Sequence, residues 1–161
     1  MKQNDIKKFK KEYEDFNEIL EMNIDLNNNI IYKDVDEAIN ILTNGTGIVY
    51  FGFSMCPWCR NVVPVLLEVA KKNNMIINYV DVMQLEGSDY KKIVPVINQY
   101  LKEENGKKIL YSPDVYFVRN GIIAGHHLST VISQKNPRIN LKEEQKEELI
   151  NIYQELINKI K

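Results

Sequence analysis

Ile48-Val49-Tyr50-Phe51-Gly52-Phe53-Ser54-Met55-Cys56-Pro57-Trp58-Cys59-Arg60 is the stretch on which the reading of this chain turns. Its first six residues form a continuous apolar run, the pattern of a central strand buried on both faces. A cysteine pair follows almost at once. Val62, Val65/Leu66 and Val69 then supply a core stripe at helical spacing through residue 72. The two cysteines therefore sit at a strand-to-helix junction.

That position carries chemistry. A thiol is a nucleophile only as thiolate, and an ordinary cysteine, near pKa 8.5, is mostly protonated at neutral pH. The first turn of a helix aims unpaired backbone N–H groups at the Cys56 sulfur and favours its charged form. Pro57 falls where a missing N–H costs nothing and a fixed φ is already helical. Cys59, three residues on, lies over the same helix face, within reach of Cys56. Cys56 is then the attacking thiol, and Cys59 the one that resolves a mixed disulfide. As a structural staple the pair would close a very small ring and remove little chain entropy.

A lone Cys-x-x-Cys also resembles half of a zinc site. The chain has two cysteines and two histidines, and His126 and His127 are adjacent, not at helical ligand spacing. Redox chemistry without metal or organic cofactor is the favoured reading. A zinc or iron–sulfur scaffold dimerised through the motif is a rival. Trp58, the only tryptophan, reads as an exposed apolar platform for substrate, with packing on the core as its alternative.

Working outward, residues 75–82 form the next strand. A helix separates it from the previous one, so the pair reads as a right-handed βαβ unit with parallel strands. Residues 89–101 read as a helix ended by Glu104-Asn105-Gly106. Residues 115–119 and 122–125 flank Asn120-Gly121, a strong hairpin signal. Residues 128–139 read as an irregular loop. Asn140 and Glu143 suggest a capping box opening a long C-terminal helix with Leu149, Tyr153, Leu156 and Ile160 on one face.

Upstream, residues 5–22 read as an amphipathic helix with Ile6, Phe9, Tyr13, Phe16 and Ile19/Leu20 on its apolar side and a solvated Lys7-Lys8/Lys10-Lys11 face. Residues 30–32 read as a short strand. Asp34 with Glu37 gives a capping-box start to a helix ending near Gly45.

The 161 residues are 44% hydrophobic and 27% charged, with a net charge of −1. Acidic and basic residues are mixed along the chain, which argues against a nucleic-acid partner. No apolar run approaches the roughly 18–20 residues of a membrane span. The weight on Asn, Lys and Ile suits an AT-rich bacterial genome. Residues 1–8 are charged but lack a following apolar segment, so no signal peptide is seen. The expectation is a cytoplasmic protein, or an extracytoplasmic one if an export signal has been trimmed. A dithiol site works as a reductant in the first setting and as an oxidant or isomerase in the second.

Residues 51–60 resemble the strand-to-active-site segment of the thioredoxin family. Pro64, eight residues after Cys56, matches the proline that kinks the family's active-site helix. Ser112-Pro113-Asp114-Val115-Tyr116-Phe117-Val118-Arg119-Asn120-Gly121 is similar to the family's cis-proline strand and hairpin. The resemblance implies a thioredoxin fold. It is α/β, a central mixed sheet of four or five strands with helices on both faces, plus an N-terminal helix and a helical insert before the cis-proline strand. Residues 1–161 would form a single domain, with a helical extension at 1–28, the core at 48–127 and the last helix at 140–161.

The resemblance also implies that Pro113 is cis and lies against the active-site sulfurs, with the backbone at Ser112 pairing to an extended substrate segment. Tyr50 stands where thioredoxins carry a buried Asp, with Asp81 and Asp114 the nearest other carboxylates, both expected at the surface ends of strands. One of the two histidines could touch the redox centre, against a solvated strand-end pair as the default.

With Met55, the Pro-Trp dipeptide and the insert, these departures look like the bacteriocin-transport accessory group of the pediocin-operon type. The implied function is disulfide exchange on peptide or protein substrates, with a recycling thiol–disulfide partner, and assistance to bacteriocin disulfide formation. A peptide-binding chaperone module with idle cysteines is the alternative. A reduction potential of roughly −190 to −240 mV is expected.

Overall fold

The computed structural model describes residues 4–161 apart from Asn17 and Ile19. The chain runs through α1 (Ile6–Glu14), β1 (Ile30–Tyr32), α2 (Val35–Asn44), β2 (Gly47–Gly52), α3 (Pro57–Lys72) and β3 (Ile77–Asp81). There follow α4 (Gly87–Ile97), β4 (Lys102–Glu104), β5 (Lys107–Ile109), β6 (Asp114–Arg119), β7 (Ile122–Leu128) and α5 (Glu143–Asn158). Single 3₁₀ turns sit at Val82–Gln84 and Asn98–Tyr100.

Among the described residues the main sheet has five strands in the order β1-β3-β2-β6-β7. β1 and β2 both run parallel to β3, as expected for strands joined through helices. β6 is antiparallel to β2 and to β7. The central strand β2 is buried along its whole length. Its side chains alternate between two cores. Ile48 and Tyr50 join α1, α3 and α5 on one side, while Val49 and Phe51 join α2 and α4 on the other. Each buried Val, Leu, Ile or Phe contributes roughly 1.5–3 kcal/mol, so both faces are strongly held. The architecture is the expected α/β one, helices on both faces included.

The capping box at Asp34 and Glu37 is present. The Asn120-Gly121 hairpin also forms, with both residues at positive φ. A Cβ on Gly121 would fall 2.2 Å from the Thr43 carbonyl oxygen, so the turn packs tightly against the end of α2.

Several expectations need correction. The first helix stops at Glu14, not near residue 22. The Glu14 carboxylate accepts the Ile24 N–H at 2.9 Å while Lys10 reaches the Ile24 carbonyl, so tertiary contacts turn the chain back. Leu20, Met22 and Ile24 are then buried, whereas Phe16 is exposed. Ile19 lies outside the described residues. The lysine face is also not simply solvated, because the Lys8 ammonium sits 4.2 Å from the centroid of the Tyr32 ring.

Glu104-Asn105-Gly106 does not end a helix. Asn105 and Gly106 both take positive φ and turn the hairpin β4–β5. The last helix begins at Glu143, and the Lys142 N–H, not that of Asn140, is capped by Gln145 Oε1.

Candidate active site

Cys56 is the N-cap of α3, and Pro57 occupies the first turn. The backbone N–H of Cys59 donates to the Cys56 sulfur at 3.1 Å. Cys56 in turn lies 3.8 Å from the Ser112 carbonyl oxygen. Both cysteines are free thiols. Cys56 is 4% exposed and Cys59 wholly buried, so Cys56 is the more accessible by a small margin.

Electrostatics separate the two thiols. A hydrogen bond from the Cys59 thiol, against the opposing effect of burial and with help from the N–H groups of Cys59 and Trp58, holds Cys56 below the usual cysteine range. Burial pushes Cys59 well above that range, and its hydrogen bond to Cys56 pushes the same way. The arrangement supplies one nucleophile and one protonated neighbour.

Pro113 is buried beside them, and the Ser112–Pro113 peptide bond is cis. The Ser129 N–H donates to the Pro113 carbonyl at 2.8 Å, which brings the segment after β7 alongside. That segment, residues 129–142, is irregular as expected, yet it is pinned. Thr130 Oγ1 donates to Gln134, and Gln134 Nε2 donates to Asn61 Oδ1 at 3.0 Å. Asn61 Nδ2 in turn donates to the Pro137 carbonyl at 2.7 Å. Asn61, Thr130 and Gln134 are all buried, so this polar network ties the loop to α3. Pro64 lies inside the same helix.

Trp58 is half-buried and packs against the cysteine-side core, so the exposed platform gives way in part to the core-packing alternative. Met55 (55% exposed) and Ile132 (89%) present more open apolar surface.

Tyr50 is wholly enclosed, and its hydroxyl adjoins the Cys59 thiol. It also lies 2.9 Å from the Tyr13 hydroxyl, and Tyr13 donates to Tyr79 at 3.1 Å. Tyr79 donates to the Gly52 carbonyl at a long 3.4 Å. The Tyr50 and Tyr79 rings stack at 5.1 Å. Arg60 is buried behind them, its guanidinium donating to the carbonyls of Leu20 and Ser54. Tyr13, Tyr79, Arg60, Asn61 and Gln134 escaped sequence reasoning as site residues. Tyr13 and Tyr79 sit at ordinary core spacing, Arg60 and Asn61 simply follow the motif on α3, and Gln134 falls in the irregular loop, so only the fold brings their polar atoms together.

Asp114 is not at the surface. It is 2% exposed, accepts from the Tyr116 hydroxyl at 2.9 Å and meets His126 Nδ1 at 2.8 Å. Tyr116 belongs to the α2/α4 core, so this carboxylate is held on the sheet face opposite Tyr50. Asp81 is half-buried at the end of β3, where it accepts the Met83 N–H. The histidines lie inside β7, not beyond it, and neither is simply solvated. His126 stacks on Tyr116, while His127 Nε2 pairs with the Thr130 carbonyl and its ring meets Tyr153. Among the described residues, no three His, Cys, Asp or Glu side chains gather as a metal-ligating group. No helix there is long and apolar enough to cross a membrane.

No protein-family model and no curated protein matches the sequence. Solved structures do. Thioredoxin from Aeropyrum pernix is 16% identical and aligns over 81% of this chain and 86% of its own, with a TM-score of 0.51. Thioredoxin O2 from Arabidopsis thaliana, in the oxidized state, is 16% identical over 82% and 95% of the two chains, with a TM-score of 0.48. Thioredoxin f2 from Chlamydomonas reinhardtii is 16% identical over 78% and 96%, with a TM-score of 0.46. The likeness to the first of these is one of fold, and this chain has the thioredoxin fold.

Proposed function

We propose that this protein is a thiol–disulfide oxidoreductase acting on peptide or protein disulfides, with Cys56 as nucleophile and Cys59 as resolving thiol. The observation that carries the reading is the contrast between the two sulfurs. Cys56 caps a helix and receives the Cys59 N–H, while Cys59 is buried and protonated beside it. A helix N-terminus that favours thiolate at one cysteine and burial that keeps its neighbour neutral are what sequential exchange requires.

In the reductive direction the Cys56 thiolate attacks a substrate disulfide. One substrate sulfur leaves with the electron pair, and Cys56 is left in a mixed disulfide. Cys59 then attacks the Cys56 sulfur, the Cys56–Cys59 bond forms, and the second substrate sulfur departs with the proton that Cys59 loses. The oxidative direction is the reverse, and a second dithiol or disulfide partner restores the starting state.

Trp58 and the Ser112–Pro113 backbone are assigned to substrate contact, with Pro57, Pro64 and Tyr50 in support. The Cys56 contact to the Ser112 carbonyl favours this assignment, because a peptide laid there would reach the sulfur. The finer role, assistance to disulfide formation in secreted bacteriocin peptides, rests on the sequence resemblance alone. The bacterial source, the single-domain reading and the choice of compartment rest on composition, length and sequence pattern.

The test is reduction of insulin disulfides by dithiothreitol in the presence of the protein. Acceleration that Cys56→Ser abolishes is the expected result. Peptide binding without any acceleration would instead favour a chaperone module with idle cysteines.

A further inference from the structure

Three hydroxyls stand in line behind the resolving thiol. Each hydroxyl has one hydrogen to give. Tyr79 gives its hydrogen to the Gly52 carbonyl and Tyr13 gives its own to Tyr79. Tyr50 must then supply the hydrogen in its contact with Tyr13. In this arrangement the chain points away from Cys59 and ends on a carbonyl at 3.4 Å, a long and weak bond.

The opposite polarity is also complete. Tyr79 can turn to Tyr13, Tyr13 to Tyr50, and Tyr50 to the Cys59 sulfur, with every hydrogen still used. The exchange gives up the long bond to Gly52 and gains a bond to a sulfur. When that sulfur is anionic the new bond is charge-assisted, roughly twice as strong as a neutral one.

We propose that Tyr50 is the group that stabilises the Cys59 thiolate as it forms, through reversal of the Tyr79–Tyr13–Tyr50 hydroxyl chain, and that Tyr13 and Tyr79 are positioning residues for it. This rests on the exchange chemistry assigned above to the two cysteines. No tyrosine gives up a proton in the step. Cys59 loses its proton to the departing substrate sulfur, its electron pair forms the bond to Cys56, and the three O–H groups only rotate. Burial and the neighbouring Cys59 hold the Tyr50 hydroxyl protonated far beyond the ordinary tyrosine range, which suits a permanent donor and not a base.

The surroundings are consistent with that assignment. Cys59 adjoins Cys56 at the start of its own helix and Tyr50 on β2, and it acts electrostatically on Tyr13 of α1 and Tyr153 of α5. The buried Arg60 guanidinium acts on Tyr13 and Tyr50, adding positive charge behind the donors. Asp81 acts on Tyr79 at the far end of the chain. Gly52 makes room for the arrangement, since a Cβ there would fall 2.3 Å from the Tyr50 hydroxyl oxygen.

Reaction of the reduced protein with Ellman's reagent separates the two steps. The first thionitrobenzoate is released when Cys56 attacks, the second when Cys59 resolves the mixed disulfide. In Tyr50→Phe the first phase should stay within about twofold of wild type. The second should slow by about tenfold or more, the effect of losing one hydrogen bond to a charge, and its pH midpoint should rise. Tyr13→Phe, which leaves Tyr50 in place, should slow the second phase by about threefold and carries the test if Tyr50→Phe does not fold. A second phase unchanged in rate, or slowed with no rise in midpoint, would overturn the proposal. A wild-type protein with no second phase would overturn the exchange reading instead.

Discussion

The hydroxyl of Tyr13, on the first helix, lies 2.9 Å from that of Tyr50, on the central strand. Tyr50 also meets Cys59, so the N-terminal helix reaches the redox pair through a single intervening side chain. The helix is anchored for this task. Asp5 accepts the Tyr32 N–H at 2.8 Å, and Phe9 stacks on Tyr13 with ring centroids 4.2 Å apart.

Gly52→Ala should disturb this relationship without touching either hydroxyl. The added Cβ would collide with the Tyr50 hydroxyl and ring, and overpacking of this kind costs about 1–3 kcal/mol. Urea denaturation should show that loss, and resolution by Cys59 should slow with it. A variant of wild-type stability and kinetics would mean that Tyr50 moves aside freely.

Asp114→Asn tests whether that carboxylate serves the cysteines. Its two partners, His126 and Tyr116, lie on or face the other side of the sheet. The expected outcome is a stability loss of about 1.5–3 kcal/mol with exchange kinetics within about twofold of wild type. A large kinetic defect at full stability would assign Asp114 to the redox step.

Stability should fall in alkali. Burial raises the Cys59 thiol and the Tyr13 and Tyr50 hydroxyls well above their ordinary values. The unfolded chain then loses these protons first as pH rises. The stabilisation is full below the unfolded values, about 8.5 for cysteine and about 10 for tyrosine, and is lost above them. Cys56 acts in the opposite sense, because its lowered value adds stability that is lost as pH falls below about 8.5. In Cys56→Ser, free of that contribution, urea midpoints should decline from about pH 8.5 upward. A flat profile to about pH 10.5 would contradict the burial of a neutral Cys59.

Redox poise follows from the same pair. A stabilised Cys56 thiolate favours the dithiol and raises the potential. Equilibration with glutathione buffers, followed by Trp58 fluorescence, should give roughly −190 to −240 mV, above the thioredoxin value near −270 mV. A potential at or below about −270 mV would mean that Cys59 is served as well as by a buried carboxylate and that the protein is an ordinary reductant.

Much of this was legible before the coordinates. Residues 48–53 announce a strand buried on both faces because nothing polar interrupts them until Ser54. Asn120-Gly121 reveals its hairpin because few other residue pairs take positive φ twice. The same signal at Asn105-Gly106 was hidden by the charged residues around it, which lack strand alternation. The end of α1 was illegible because Glu14 stops it through a bond to Ile24, ten residues away. The tyrosine chain was illegible for a related reason. Tyr13, Tyr50 and Tyr79 each sit at an ordinary core spacing, and only the pairing of β2 with β3 under α1 aligns their hydroxyls.

The most direct test of the chemistry is to trap the intermediate. Cys59→Ser should be incubated with a disulfide-bonded peptide and analysed by non-reducing mass spectrometry. The expected result is a covalent mixed disulfide on Cys56, released by dithiothreitol, with none formed by Cys56→Ser. An adduct that forms on Cys59 when Cys56 is replaced, or none on either variant while wild type stays inert, would contradict it.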